Sequence, residues 1–303
     1  MKQYSIIKKI GEGTFGTVYK GIHNINKKNV AIKVANKINK TICQQLYNEN
    51  NDFNEIAYKV LKHEAKILNT LRREQHFPRL KWFGNYDNKT FLVMDILNKN
   101  LLEIDSITKM DILLIGYHCI NILKTLHIKK ILHRDIKPEN FMFGNDENKN
   151  TLYLIDFGLS KFYMHDDKHI EYQNDKKFIG NKIFASLYTM KGIEYSRRDD
   201  LISLSYMLIF LFTKKLPWTN IDSSCNSTEI FKTILDIKER YRKKNEICTL
   251  CKKLPLCIEK ILIYAYSLNF KDSINYNYLI KIILSDLNNL NWNNNFNFSW
   301  NLE

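Results

Sequence analysis

The sequence predicts a mixed α+β fold with a small strand-rich N-terminal lobe and a larger helical lobe. The first hundred residues contain short strand-like runs separated by turns, and these runs lie at 4–7, 17–20, 30–34, 80–83 and 91–94. Apolar residues at helical spacing predict a helix over 56–71 and, after residue 100, longer helical segments at 107–128, 198–213 and 256–287. A chain of 303 residues is long enough to bury the cores of two such lobes.

Composition excludes several classes of protein. Hydrophobic residues make up 45% and charged residues 26% of the chain, which is typical of a globular protein and not of a disordered or fibrous one. The longest apolar run, 201–212, is far shorter than the roughly 20 residues that span a bilayer. We therefore expect an intracellular protein, cytoplasmic or nuclear, that is not embedded in a membrane.

The charge balance predicts an anionic partner. Lys and Arg number 46 and Asp and Glu 32, which gives a formal net charge of +14. Acidic or phosphorylated proteins, nucleic acid and a membrane surface all fit this charge, and the charge alone does not choose among them. The abundance of Asn, Lys and Ile fits a viral source, with the virion as a further location, and equally an A/T-rich cellular genome.

A glycine motif, G-E-G-T-F-G-T-V, occupies positions 11–18. Glycines allow backbone N–H groups to approach phosphate oxygens closely, because no Cβ stands in the way. Dinucleotide-binding folds use the same spacing where a strand turns into a helix, but here the next segment is strand-like. The motif therefore predicts a hairpin over a nucleotide, with these candidate binding residues: Gly11, Gly13, Gly16 and Val18.

A lysine that could bind phosphates follows in the next strand. Lys33 lies in the strand-like run 30–34, and such a lysine needs a carboxylate to hold it. Glu64 and Glu55 both lie on the following helical segment. We favour Glu64, because the apolar pair Ile67-Leu68 follows it on the predicted buried face.

Two further motifs carry the strongest chemical signal: H-R-D-I-K-P-E-N at 133–140 and D-F-G at 156–158. Asp135 can accept the proton of an attacking hydroxyl group, and Lys137 can neutralise the charge of a transferred phosphoryl group. Asn140 and Asp156 offer oxygen ligands for Mg²⁺ bound to ATP phosphates. With the glycine motif and Lys33 before them, these motifs resemble those of protein kinases.

The resemblance extends to the casein kinase 1 family, with the vaccinia-related kinases as its neighbouring group. It covers about residues 4–287, and the segments that carry it are 156–163, 192–201, 216–218, 250–255 and 272–279. It implies the bilobal protein-kinase fold, with an N-lobe and hinge at 1–97, a C-lobe at 98–287 and an Asn- and aromatic-rich tail at 288–303. ATP and Mg²⁺ would then bind in the cleft between the lobes.

The resemblance also assigns roles to individual residues. Met94 would be the gatekeeper, and the segment Asp95-Ile96-Leu97 would be the hinge that binds adenine, with Ala31 beside it. Asp200 would anchor the catalytic loop from within the helical lobe. Lys137, two residues after Asp135, is typical of kinases that act on Ser and Thr.

The sequence departs from the family pattern in the segment that faces the substrate. Asn181 replaces the usual Thr after Gly180, and Ile183 replaces an Arg that binds phosphate on primed substrates. Lys182 and Lys176 remain nearby as basic residues. The A-P-E tripeptide of most kinases is missing, and 185–187 reads Ala-Ser-Leu instead.

The presumed activation segment contains no Ser or Thr between Ser160 and Ser186, and its only hydroxyl side chains are those of Tyr163 and Tyr172. Phosphorylation on Ser or Thr cannot order this stretch. The sequence therefore predicts activity without an upstream Ser/Thr kinase.

These observations predict a monomeric Ser/Thr protein kinase that acts on acidic or phosphorylated proteins. The alternative is a catalytically weak kinase-fold scaffold that binds ATP and protein partners. A scaffold would be expected to have lost at least one of four residues, and all four are present: Lys33, Asp135, Asn140 and Asp156. The aromatic residues of the tail are expected to dock on the protein's own surface or to remain unattached.

Overall fold

A computed structural model describes residues 1–13, 16–35, 53–221, 226–296 and 298–300. Thr14 and Phe15 of the glycine motif, and most of the polar stretch 36–54 for which the sequence predicts a loop, lie outside the described residues. The chain forms two compact units. The first comprises 1–98 and 142–160, and the second comprises 99–141 and 161–303.

The first unit is built on a five-stranded antiparallel sheet with the strand order β1-β2-β3-β5-β4. The strands are β1 Tyr4–Gly13, β2 Gly16–His23, β3 Asn29–Ala35, β4 Leu80–Tyr86 and β5 Lys89–Asp95. All five predicted strands are therefore confirmed. The core on one face of the sheet consists of Val30, Ile32, Val34, Phe91 and Val93.

The helix Phe53–Thr70 packs against this sheet. Its apolar residues repeat every three or four positions, so that one face is buried, as the sequence predicts. The buried residues on this face include Ile56, Val60, Leu61, Ile67 and Leu68. Glu64 lies among them, which places a carboxylate inside the unit.

Short elements complete the unit: most of strand Phe141–Phe143, strand Leu152–Leu154 and the 3₁₀ turn Asp146–Asn148.

The second unit is mainly helical. Its helices are Lys109–Ile128, Leu187–Met190, Arg197–Thr213, Ser227–Tyr241, Lys244–Cys251, Leu256–Ser267 and Tyr276–Asn289. Its smaller elements are the 3₁₀ turns Leu101–Glu103 and Pro138–Asn140 and the two-residue strands Ile131–Leu132, Lys161–Phe162, Met164–His165 and Lys168–His169. In the described part of the chain, no helix combines the length and the apolarity needed to cross a bilayer.

The helix Arg197–Thr213 is the centre of this unit, because it is buried on nearly all sides. It packs against the helices Lys109–Ile128 and Leu256–Ser267. The predicted helical stretch 256–287 is wrong in one respect, since it is two helices separated by 268–275. Asp272 accepts the backbone N–H of Asn269, and Asn275 accepts that of Tyr278, so polar side chains replace the helical hydrogen bonds there.

The aromatic tail docks on the helix Lys109–Ile128. The Phe296 and Tyr117 rings lie 4.8 Å apart, and the Phe298 and His118 rings 5.8 Å apart. The backbone N–H and the hydroxyl of Ser299 donate to the Asp111 carboxylate at 2.8 and 2.6 Å. Of the two expectations for the tail, docking on the protein's own surface is therefore confirmed.

Gly116→Ala should raise the free energy of unfolding by about 0.5–1 kcal/mol, because Ala is the better residue inside a helix. The added Cβ would meet Leu208 and Ile283 at 3.6 and 3.7 Å, which is ordinary contact. Urea denaturation measures the change. Gly192→Ala is the matched control and should destabilise, since Gly192 has φ +78° and its Cβ would lie 2.9 Å from the Lys176 carbonyl oxygen. A loss of stability in Gly116→Ala would contradict the packing described here.

Candidate active site

The glycine motif forms a hairpin between β1 and β2, with Gly11 opposite Val18 and Gly13 opposite Gly16. A strand follows the motif, so the turn from strand to helix that characterises dinucleotide sites is absent from this part of the described chain. A Cβ on Gly16 would lie 2.6 Å from the Val34 carbonyl oxygen. Gly16 is therefore required for β2 to pack against β3.

Lys33 is the centre of a buried ionic cluster in the first unit. Its side chain is 5% exposed, and its Nζ donates to Glu64 Oε2 at 2.8 Å and to Asp156 Oδ1 at 2.9 Å. Burial disfavours the ammonium, but the charges of Asp156 and Glu64 outweigh it and hold the pKa of Lys33 above its ordinary value. The rival Glu55 instead forms an exposed pair with Lys59 at 3.0 Å.

Asp156 has a strained backbone, with φ +61°, and such residues tend to occur at functional sites. Two neighbouring contacts hold the turn: Phe157 packs on Phe77 with ring centres 6.0 Å apart, and a ring nitrogen of His63 hydrogen-bonds the Ser160 carbonyl at 2.8 Å. One third (33%) of the Asp156 side chain is exposed, so its carboxylate is accessible to a ligand.

The predicted hinge follows the end of β5. Met94 lies opposite Ala31 in the pairing of β5 with β3. The Asp95 carboxylate accepts the backbone N–H of Arg79 and the Lys81 ammonium, both at 2.8 Å. The side chain of Asp95 is thus tied to β4, and adenine recognition at Asp95 and Leu97 would fall to their backbone groups.

The second unit holds the residues of the H-R-D motif. Asp135 is 9% exposed, and its Oδ2 accepts from Lys137 Nζ at 2.7 Å and from Asn140 Nδ2 at 3.2 Å. Its Oδ1 is buried and has no hydrogen-bond donor among the described residues. A buried carboxylate oxygen without a donor is costly, and an incoming hydroxyl group would satisfy it.

Asn140 is fixed by the same loop. Its Nδ2 also donates to the Asp135 carbonyl at 2.7 Å. Because both bonds use the amide nitrogen, the amide oxygen is the atom suited to meet a cation.

Asp200 holds the catalytic loop in place. Its carboxylate accepts the backbone N–H groups of His133 at 2.8 Å and Arg134 at 2.9 Å, and a ring nitrogen of His127 at 3.0 Å. Burial alone would raise the pKa of Asp200, but these hydrogen bonds and the nearby His127 and His133 keep it below its ordinary value. Arg134 adopts φ +69°, which the bond to Asp200 helps to maintain.

Sequence reasoning missed the support behind Asp200. His127 is buried, and its Nδ1 hydrogen-bonds the Tyr276 hydroxyl. Both residues lie within predicted helices and belong to no motif, so nothing in the sequence indicated their role.

Glu194 fastens the activation segment. Its carboxylate lies 2.8 Å from Lys161 Nζ and 3.9 Å from Lys176 Nζ. Burial would raise the pKa of Glu194, but the hydrogen bond and the charge of Lys161, the backbone N–H of Tyr195 and the charge of Arg134 together lower it. Tyr163, one of the two hydroxyl side chains in the segment, is buried and donates to the His127 carbonyl at 2.7 Å. Ordinary charged residues therefore form ion pairs that hold parts of this segment together.

The substrate-facing segment folds around Asn181. Its Oδ1 accepts the backbone N–H of Ile183 at 2.8 Å, and its carbonyl accepts that of Ala185 at 2.9 Å. Gly180 has φ +109°, and a Cβ there would lie 3.0 Å from the Arg134 carbonyl oxygen. The segment thus packs closely on the catalytic loop.

The arginines of the 192–201 motif are structural in this fold. The Arg198 guanidinium lies 3.6 Å from the centre of the Tyr188 ring and donates to the Leu268 carbonyl. Arg197 lies over Tyr163. Contacts within the protein therefore hold both arginines, and Arg198 is buried.

The two units therefore present the two sets of side chains that phosphoryl transfer requires: a buried lysine with its carboxylates, and a loop aspartate with a lysine and an asparagine. A family model of the protein kinase domain matches residues 4–281, a range that includes both sets. The chain belongs to the protein kinase domain family, and its α+β architecture is that of the bilobal kinase fold.

Proposed function

We propose that this chain is an active Ser/Thr protein kinase that transfers the γ-phosphate of ATP to Ser and Thr hydroxyls of proteins. The observation that carries the proposal is the buried Oδ1 of Asp135, which accepts from no donor in the described part of the chain and lies in a loop that also presents Lys137 and Asn140. The intact cluster of Lys33, Glu64 and Asp156 supports it, because this cluster would bind the phosphates of ATP.

In this proposal Asp135 Oδ1 accepts the proton of the substrate hydroxyl. The hydroxyl oxygen bonds to the γ-phosphorus, the bond from that phosphorus to the β–γ bridging oxygen breaks, and ADP leaves. Lys137 neutralises charge on the transferred group, and Lys33 orients the phosphates. Positioning and charge neutralisation account for most of the catalysis, because this reaction needs little covalent help.

The residues present fit Mg²⁺. Asp156 offers an accessible carboxylate, and Asn140 offers an amide oxygen, and hard oxygen atoms are the ligands that Mg²⁺ takes together with phosphates and water. When bound, Mg²⁺ would neutralise charge on the ATP phosphates.

The resemblance to the casein kinase 1 family, with the vaccinia-related kinases beside it, supports Ser/Thr specificity. Lys137 follows Asp135 by two residues, as in Ser/Thr kinases. The motif at 192–201 supplies Glu194 and Asp200, whose bonds to the activation segment and the catalytic loop fit an active kinase.

The second candidate, a catalytically weak scaffold that binds ATP and protein partners, rests on Asn181. The residue replaces the Thr of the family pattern, and its side-chain oxygen is used within its own loop. We favour the active kinase, because the residues proposed for chemistry are all present.

Acidic or phosphorylated proteins are the proposed substrates. Lys182 is exposed in the substrate-facing segment, and Lys176 precedes it. The first unit also has a pocket of about 1080 Å³, and six basic side chains are among those that line it: Lys20, Lys27, Lys28, Arg73, Arg79 and Lys81. Together with the net charge of +14, these positions favour acidic partners.

Asp135→Asn should lower Mg²⁺-dependent transfer of labelled γ-phosphate from ATP to casein by about 10²- to 10⁴-fold, because the proton acceptor is lost. The label should appear on Ser or Thr. Asp166→Asn, an exposed Asp, is the matched control and should retain wild-type activity. A wild-type protein that binds ATP but transfers no phosphate would favour the scaffold.

Treatment with a protein phosphatase should leave the activity unchanged, since Glu194 and the lysines beside it already order the activation segment. Glu194→Gln should lower kcat several-fold, because the neutral amide cannot form these ion pairs. Tyr172→Phe removes the exposed hydroxyl of the segment and should have no effect. Activity that disappears after phosphatase treatment would contradict this view.

Lys182→Glu should raise KM for an acidic peptide by about tenfold, which corresponds to about 1.4 kcal/mol of lost attraction. KM for a neutral peptide should change much less. Lys253→Glu, an exposed lysine outside the substrate-facing segment, provides the control for a change in net charge. Equal effects of both substitutions would mean that Lys182 does not contact the substrate.

A further inference from the structure

Lys238 is a fully buried lysine in an unusual environment. It lies on the helix Ser227–Tyr241, and its side chain is 0% exposed. It forms no ion pair with any carboxylate that the structure describes, and burial holds the pKa of Lys238 well below its ordinary value. A lysine is almost never fully buried without a partner, so its position requires a specific explanation.

The partners of Lys238 are backbone carbonyls of the substrate-facing segment. Its Nζ donates to the carbonyl oxygens of Lys182 at 2.8 Å, Ile183 at 3.0 Å and Ala185 at 2.6 Å. An ammonium has three N–H donors, so these three acceptors satisfy it completely. The Nζ also lies 5.2 Å from the centre of the Tyr206 ring and 5.0 Å from that of Trp218.

The sequence of the segment explains why Lys238 binds backbone carbonyls and not a carboxylate. Residues 176–193 contain no Asp or Glu, so no carboxylate of this stretch could meet the lysine. The Trp218 indole N–H also donates to the Ile183 carbonyl, at 2.8 Å. Two buried donors from separate elements therefore converge on the same short piece of backbone.

The bonds to Lys238 orient the backbone of the substrate-facing segment. The carbonyls of Lys182 and Ile183 turn inward to Lys238, whereas the Lys182 side chain is exposed to solvent. At the other end of the segment, the Tyr195 hydroxyl donates to the Ile179 carbonyl at 2.7 Å, and Gly180 lies close to the Arg134 carbonyl oxygen. Lys238 thus holds the part of the segment that follows Gly180, at residues 182–185.

We propose that Lys238 is a positioning residue that determines the affinity for the protein substrate by fixing the backbone of residues 182–185, without touching the substrate itself. The role in substrate affinity rests on the proposed kinase function. The role in ordering the segment does not, and it can be measured separately.

The kinetic test compares Lys238→Met, which keeps the length and apolar stem of the side chain, with Lys232→Met, an exposed lysine on the same helix. Lys238→Met should raise KM for a peptide substrate about tenfold, while KM for ATP stays within about twofold. Lys232→Met should change neither. Unchanged KM values together with a lower active fraction in Lys238→Met would mean a merely structural role and would overturn the proposal.

Hydrogen exchange provides the measurement that does not depend on activity. In Lys238→Met the amides of Ile183 and Ala185, which donate to Asn181, should exchange at least tenfold faster, and those of the helix Arg197–Thr213 should not change. Unaltered exchange in the segment would overturn the proposal even if the wild type proved inactive. Faster exchange with an inactive wild type would leave Lys238 as the anchor and reject the kinase function.

If Lys238→Met fails to fold, a second variant tests the same proposal. Trp218→Phe retains an aromatic ring beside Lys238 but removes the N–H that donates to the Ile183 carbonyl. It should shift peptide KM and segment exchange in the same direction by about threefold, because it removes one hydrogen bond and leaves the ammonium in place. No shift in either quantity would contradict the anchoring role of this backbone.

Discussion

The carboxylate of Asp200 lies inside the helical unit, where it is 1% exposed and accepts hydrogen bonds from two backbone N–H groups and from His127. A buried charge without such partners would cost several kcal/mol, so the three donors and the carboxylate hold one another in place. The two N–H groups belong to His133 and Arg134. The residue that follows them is Asp135, whose orientation therefore depends on a helix distant in sequence.

Buried charges recur wherever the fold must hold a loop. In the first unit, Lys33 joins the helix Phe53–Thr70 to the turn that contains Asp156. In the second unit, Glu194 holds the activation segment and Lys238 holds the substrate-facing segment. Loops have no regular hydrogen-bond ladder of their own, and a buried ion with several partners fixes them more firmly than apolar packing alone.

The elements were predictable where their pattern was long and regular. The strands of the sheet and the helices at 107–128 and 198–213 follow from local periodicity. The stretch 256–287 was predicted as continuous helix, because its apolar residues keep the helical spacing. Polar side chains around 268–275, chiefly Asp272 and Asn275, bind backbone N–H groups and separate it into two helices. The spacing of apolar residues cannot reveal this competition between side-chain and helical hydrogen bonds.

The sequence by itself determined which side chains could carry phosphoryl transfer, because Asp135, Lys137 and Asn140 lie within one short loop and their spacing is local. The sequence favoured Glu64 as the partner of Lys33, and the resemblance assigned Asp200 to the catalytic loop, but only the tertiary structure showed which individual groups the buried charges contact. Lys33 and Glu64 are 31 positions apart, Asp200 and His133 are 67 apart, and Lys238 and Ala185 are 53 apart. The last two pairs use backbone groups, which every residue possesses. Such contacts leave no mark in the sequence, so only the folded chain reveals them.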